Sequence, residues 1–540
     1  MQQNQRTNQK VLPVQTKRNH KLFLLVLLLA FYLRIQGLGN GLSIGLNTGE
    51  ASAVIKSLLL LSKSFFKGIF FLAGDYETSL VYGLFNSLIA LAGSLTHGFL
   101  SLTGFLETEP QILFSSLRGL SVLFGTGSVA VLYLIGKRFG QNAGLFASLF
   151  LAVSLLHIMV SQQAGSFSAM VFFFLLSNLY LLKAFEGEES KIKTSTFLAG
   201  CSAVMHFTGI VSFIPVMIAL KLLNKCKEYK KTFLGIVAVV VLFNLPKVLD
   251  LFSLYKYWLP DSSDKAGSGI LYSFSFLVIA VGPVVYFSSL FFFKFLQNTN
   301  RSLLKILISL PLFCIGLFAL IHCSQSKYAL LIVPYICLLS GIFFETIKEK
   351  WTSDEMKFTF YFLVILAVWI PLKYSLRYNK ITALPDTREI ATEWVKENSG
   401  RDYKVTFDDN SIKLKWFESY DSNLLSALGI NSDKLTDKKR YKIDKNLLKK
   451  KDWFKILRKK ADYVVINSID YEKALRDSGD PLQKKYYKKM MKLEPKIVFS
   501  PYLKDLDQHT NRLLTEELYL PFLTLWQRER AGPVIKVYKI

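Results

Sequence analysis

The stretch RGLSVLFGTGSVAVLYLIGKRFGQNAGLFASLFLAVSLLHIMVSQQAGSFSAM, residues 118–170, decides how the rest of the chain is read. Its apolar residues fall into two runs, 113–136 and 142–160, separated by the short basic turn GKRFGQ at 136–141. A hydrocarbon core of about 30 Å needs about 20 apolar residues per helix, so each run predicts a membrane crossing. Lysine and arginine in a short loop predict the cytoplasmic side. Working outward, nine further runs qualify: 22–38, 167–183, 195–208, 209–223, 232–247, 270–293, 303–322, 328–347 and 358–375, with a turn at Thr208-Gly209. The expected fold is a polytopic α-helical membrane protein of about eleven crossing helices. Composition agrees, since the 540 residues are 51% hydrophobic with 44 Phe, more apolar than a soluble domain usually is.

Orientation follows from loop charge. With the N-terminus inside, the loops at 136–141, 183–193, 221–231, 294–305 and 345–357 are cytoplasmic, and each carries lysine or arginine. The segment before the first run carries Lys17, Arg18 and Lys21 and shows no small-residue cleavage site, so the first run reads as an uncleaved span. The loops 39–112, 161–166, 248–269 and 323–327 then lie outside. Counting 79–105 as one more span would reverse every later loop. The parity therefore predicts that 53–72, with lysines at 56, 63 and 67, and 79–105 lie on the membrane surface. A hairpin of two true spans is the alternative.

From 376 the composition changes. LPDTREIATEWVKENSG reads as a helix opened at Asp386-Thr387 and closed at Gly400. YKVTF, ADYVVINS and GPVIKVYKI read as strands. The expected organisation is a transmembrane domain over 1–375 and a small extracytoplasmic α/β domain over 376–540. The formal net charge of +26 suits cytoplasmic loops and contact with anionic membrane lipids. No nucleic-acid motif accompanies it, so no nucleic acid is expected as a partner. The five cysteines, at 201, 226, 314, 323 and 337, lack metal-ligand spacing and read as reduced packing residues.

Three stretches resemble the GT-C glycosyltransferases that use polyprenyl-phosphate sugars, particularly the protein mannosyltransferase and aminoarabinose transferase branch. The first is 118–170, similar to the family's arginine-led helix, glycine-basic-basic-aromatic-glycine loop and following helix. The second is AVMHFTGIVSFIPVMIAL, 203–220, similar to its His-aromatic turn. The third is SKYALLIVPYICLLSG, 326–341, similar to its basic-Tyr pair before a Pro-containing span. DTREIATEWVKEN, ADYVVINS and GPVIKVYKI look like its C-terminal domain. The resemblance implies an active site at the outer membrane face, a polyprenyl-phosphate sugar as donor substrate, and a protein, lipid or glycan acceptor. It implies no cofactor.

Transfer from such a donor asks for a base to take the acceptor proton. It also asks for cations to meet the leaving phosphate. In the family the base is an acid of the first external loop, in an Asp-Glu pair. Glu50 matches the second member, and Gly49 stands where the Asp would be. Asp75 and Glu77, in the same loop, are candidates to substitute for the missing Asp, with helix capping or simple solvation as their ordinary role. Arg118 and Lys327, each at the outer end of a span, are the phosphate candidates, and snorkelling to headgroups explains them as well. Tyr328 follows Lys327. His206 at the outer turn suits sugar or phosphate, whereas His157 on an apolar helix reads as packing. In SQQAGSFS, 161–168, where one branch has a Ser-x-Glu-Ala-Arg-x-Tyr pattern, Gln163, Gly165 and Phe167 replace Glu, Arg and Tyr. Gln162 and Gln163 can still hydrogen-bond a sugar. With no acid cluster in this loop, no metal is expected.

Three functions follow from these readings. The first is a glycosyltransferase with Glu50 as base, in the plasma membrane with its C-terminal domain outside. The second is a catalytically degenerate relative acting as a lipid-binding or assembly subunit. The third, a transporter, is disfavoured because the spans show neither a convincing set of ionisable residues nor paired broken helices.

Overall fold

The computed structural model describes residues 13–39, 56–61, 80–96, 110–244, 270–291, 326–398, 404–408, 440–442, 448, 452–475, 480–503, 522 and 524–540. The helices before the C-terminal domain are α1 (Pro13–Ile35), α2 (Leu80–Thr96), α3 (Pro110–Gly136), α4 (Gln141–Val153), α5 (Leu155–Ser161), α6 (Phe167–Phe185), α7 (Lys191–Met205), α8 (Phe213–Leu222), α9 (Cys226–Phe243), α10 (Ile270–Val281), α11 (Pro283–Leu290), α12 (Val333–Lys350) and α13 (Asp354–Ala383). Short 3-10 turns at Phe207–Ser212 and Ser326–Leu331 precede α8 and α12. Among the described residues, four helical stretches are long and apolar enough to cross a membrane: Phe114–Gly136, Phe167–Phe185, Ala329–Lys350 and the unit starting at Asp354. The pair α4 and α5 makes a fifth if taken as one span.

That pair departs from the sequence reading. The run 142–160 is not one straight helix but two, bent by 61° at Ser154. Carbonyls at a helix end lose their intrahelical donors, and here side chains from distant helices replace them. Arg34 donates to Leu151 O and Ala152 O at 3.2 and 3.1 Å, and Ser375 Oγ donates to Val153 O at 2.9 Å. The run 270–293 is broken as well, at Gly282, whose φ of 88° favours glycine and which is followed by Pro283. The two breaks meet, because Ser154 Oγ donates to Ala280 O at 2.9 Å. Broken helices and a buried cation inside a span, which the sequence did not reveal, are therefore both present. The turn after α7 contains the expected Thr208-Gly209 but opens at His206 and runs as a 3-10 helix to Ser212.

Small residues bring the crossing helices to backbone contact. A Cβ at Gly144 would lie 2.6 Å from Tyr133 O, and one at Gly341 would lie 2.7 Å from Ala143 O. The apolar core of α4, α6, α10 and α12 builds on these approaches, with Phe150, Phe174 and Phe344 buried at its centre. One end of this bundle carries the basic segments 137–138, 183–193 and 221–231, knit by ion pairs such as Arg138–Glu186 and Lys225–Glu189. At that end Glu345 accepts from Asn142 Nδ2 at 3.3 Å. The other end holds Gln36, the 161–166 turn, His206 and Asn379. This partition matches the loop charges. Of the described cysteines, Cys337 is buried, Cys201 half-buried and Cys226 exposed, so Cys226 is not a packing residue; Cys314 and Cys323 lie outside the described residues.

Helix α13 passes residue 375 without a break and ends at Ala383. Beyond it come α14 (Thr387–Asn398), β1 (Val405–Phe407), β2 (Arg440–Lys442), α15 (Trp453–Lys460), β3 (Tyr463–Asn467), α16 (Ser468–Leu475), α17 (Pro481–Met490), β4 (Ile497–Phe499) and β5 (Ile535–Lys539). The sheet order is β2-β1-β3-β5-β4, parallel through β2, β1 and β3 and antiparallel through β5 and β4. Val464 and Ile466 face a core with Tyr486 and Met490, while Val405 and Val465 face α14. Asp386 opens α14 and holds Arg388 in a buried bidentate pair at 2.9 Å. The domain docks on the bundle through 522 and 524–530: Phe522 packs on Phe276, Trp526 on Tyr374, and Arg377 donates to Arg528 O.

Candidate functional site

The sequence-predicted residues that the structure describes gather at the bundle end from which the C-terminal domain rises. Phe167, at the start of α6, is the centre of one group. The His206 ring lies 4.1 Å from its ring, centroid to centroid, and Lys327 Nζ lies 5.5 Å from its centroid on the 3-10 turn before α12. His206 is fully buried because it caps two elements at once. Its Nδ1 accepts from Thr208 N at 3.3 Å and is 2.7 Å from Thr208 Oγ1. Phe167 thus holds a lysine and a histidine against one ring, through a cation–π contact and a tilted ring contact.

A second group closes on the end of α1. Arg118, 5% exposed on α3, donates to Leu38 O at 2.7 Å. Gln162 Nε2 donates to Leu33 O and to Asn379 Oδ1 at 3.0 and 2.8 Å. Asn379 Nδ2 in turn donates to Leu33 O and Gln36 Oε1 at 2.8 and 3.0 Å. A Cβ at Gly37 would run into the Gln162 amide, so a larger residue there would displace that side chain. Ser121 Oγ donates to Gly165 O, fixing the same turn to α3. Gln163 sits half-buried on the turn, and its carbonyl accepts from Gly165 N at 2.8 Å. Glu50, Asp75 and Glu77 lie outside the described residues, as does the Tyr328 side chain.

Beneath the second group lies a set that the sequence reading missed. Arg34 is fully buried, and its guanidinium donates to Ala30 O, Leu151 O, Ala152 O and His157 Nδ1. Arginine has no acceptor, so His157 Nδ1 must accept and the ring proton resides on Nε2. Ser161 Oγ, one turn on, donates to His157 O at 2.6 Å. The available signal was Arg34 itself, a charge inside an apolar run. Several buried polar atoms here have no partner among the described residues: Arg34 Nε, His157 Nε2, Gln162 Oε1, Thr126 Oγ1 and Ser168 Oγ. Buried polar atoms usually have one, so these five are unusual for the interior of the bundle. Among the described residues, no group of three or more His, Cys, Asp or Glu is placed to hold a metal ion.

The helical bundle with its docked α/β domain has the fold of solved GT-C membrane transferases, the fold that the sequence resemblance implied. Residues 111–249 match the family model of dolichyl-phosphate-mannose-protein mannosyltransferase. ArnT from Cupriavidus metallidurans in the apo state superposes with a TM-score of 0.52 at 9% identity, over 97% of this chain and 98% of that one. The Archaeoglobus fulgidus oligosaccharyltransferase, tethered with an acceptor peptide containing the NVT sequon, superposes with a TM-score of 0.52 at 11% identity, over 87% of this chain and 72% of that one. Among the curated proteins, none matches the chain.

Proposed function

We propose that the protein moves a sugar from a polyprenyl-phosphate donor to an acceptor hydroxyl or amine at the bundle end carrying the C-terminal domain. The observation that supports the reading is that Lys327 and His206 flank Phe167, while Arg118 and Gln162 close on the end of α1 at the same end of the bundle. The matched family's description names a dolichyl-phosphate sugar donor, which supports a lipid phosphate as leaving group. In this mechanism the acceptor attacks the anomeric carbon as the bond to the phosphate oxygen breaks, with inversion. Glu50 takes the acceptor proton, and Arg118 and Lys327 meet the charge left on the polyprenyl phosphate. His206 and the Gln162–Gln163 turn contact the sugar, Tyr328 lines the donor side, and Asp75 or Glu77 contributes to acceptor binding. No metal or cofactor takes part. The N-terminus faces the cytoplasm and the C-terminal domain lies outside the plasma membrane, in keeping with the basic loops gathered at the opposite bundle end.

The second reading, a non-catalytic lipid-binding or assembly subunit, is favoured by Gly49 and by the uncharged 161–168 turn. Reconstituted full-length protein, given polyprenyl-phosphate sugars, separates the two. The enzyme reading predicts sugar release or transfer, insensitive to chelator and lost in Glu50→Gln. Activity equal in the variant removes Glu50 from the mechanism, and lipid retention without turnover in the native chain selects the second reading.

A further inference from the structure

The lipid-facing stripe of α13 begins as a run of exposed apolar side chains, with Phe358 74%, Phe362 51%, Ile365 62% and Trp369 58% exposed. Lys373, Arg377 and Lys380 continue the same stripe at four- and three-residue steps. Residues so spaced share one helix face. Between Lys357 and Lys373 the helix rises about 24 Å at about 1.5 Å per residue. Lysine stems reaching outward from both ends complete a hydrocarbon core of about 30 Å. Lys373 therefore stands at headgroup level on the side of the C-terminal domain, with Arg377 and Lys380 one and two turns above it.

Trp526, 40% exposed, descends from the C-terminal domain onto this spot. Lys373 Nζ and the Arg377 guanidinium lie 5.0 and 6.0 Å from its ring centroid, and its ring meets Tyr374 edge-on at 5.4 Å. Among the described residues, none of the three cations meets a carboxylate; Arg377 donates to Arg528 O, and its buried Nε has no partner. Like charges one turn apart repel, and cationic residues normally collect at the opposite, cytoplasmic end of a span. A cationic stripe here, beside an interfacial tryptophan, calls for an anion.

We propose that Lys373, Arg377, Lys380 and Trp526 form a binding site for the phosphate of an anionic phospholipid headgroup, in the leaflet beneath the C-terminal domain. None of the four is among the residues proposed for sugar transfer, and the test does not depend on those residues. The full chain in maltoside micelles is titrated with phosphatidylglycerol and with phosphatidylcholine of the same acyl chains, and bound lipid is counted by native mass spectrometry. Phosphatidylglycerol is expected to bind well ahead of phosphatidylcholine. Each lysine near such a surface is worth about fivefold, so Lys373→Gln/Lys380→Gln is expected to weaken phosphatidylglycerol roughly 30-fold. Lys227→Gln/Lys230→Gln, exposed lysines of the opposite end, is expected to leave that site unchanged. Equal binding of both lipids, equal loss in the two double variants, or competition by millimolar inorganic phosphate alone would overturn the proposal.

Discussion

Replacing Arg34 by methionine tests whether a cation buried within the crossing helices holds the broken span in shape. Its four bonds run to Ala30 O at 2.8 Å, Ala152 O at 3.1 Å, Leu151 O at 3.2 Å and His157 Nδ1 at 2.8 Å. Two of these acceptors survive the loss, because Ala30 O belongs to the α1 ladder and Leu151 O still accepts from Ser154 N at 3.3 Å. Ala152 O and His157 Nδ1 are left without a strong donor. A stranded buried acceptor costs about 1–3 kcal/mol, giving about 2–6 kcal/mol for the pair. Relief from burying an unpaired charge offsets part of this, so about 3 kcal/mol is the expected net destabilisation. Denaturation of the full chain in mixed sodium dodecyl sulfate micelles reads it. His157→Leu removes the same contact from the other side, so the double variant should fall short of the summed single effects by about 1–2 kcal/mol. If Arg34→Met stays within about 0.5 kcal/mol of the native chain, or the two changes simply add, Arg34 does not hold the break.

Two further substitutions probe close approaches. Gly341→Ala places a methyl 2.7 Å from Ala143 O and 2.8 Å from Ala147 N, where only backbone could give way. It should cost about 1–3 kcal/mol in the same denaturation, and a native-like midpoint would show that the two helices can move apart to admit the methyl. Gly532→Ala meets a φ of 110° and crowds the Asp386–Arg388 pair. Strain of about 1–3 kcal/mol should loosen the C-terminal domain, read as faster proteolysis after 384 with the bundle helices still protected; an unchanged cleavage rate would show that the turn is not constrained.

Much of the bundle was legible because crossing a bilayer imposes a length, and loop charge imposes a side. The runs at 113–136, 167–183 and 328–347 stand close to helices Phe114–Gly136, Phe167–Phe185 and Ala329–Lys350. Strands at 405–407, 463–467 and 535–539 fall inside the three stretches rich in Val, Ile and Tyr. The strands Arg440–Lys442 and Ile497–Phe499 were not legible, being three residues each and, in the first, wholly polar or aromatic. The break at Ser154 left no local sign. No proline or glycine marks it, and the groups that stabilise it, Arg34 and Ser375, come from 118 and 222 residues away. His206 was legible as a turn residue, but its pairing with Lys327 across Phe167 depends on a segment more than a hundred residues downstream. Arg34 was hidden by its company, since a single cation among leucines reads as an end of a span rather than its anchor.

The contrast between the two ends of the bundle has a mechanical consequence. Near the basic end, Gly136, Gly144 and Gly341 leave no room between main chains. Near the other, helices are tied by long polar side chains such as Gln162 and Asn379. Backbone pressed on backbone resists shear, whereas amide-to-amide ties can exchange partners at little cost. The molecule is thus clasped like a book at its spine, and its pages can part only where the polar ties are.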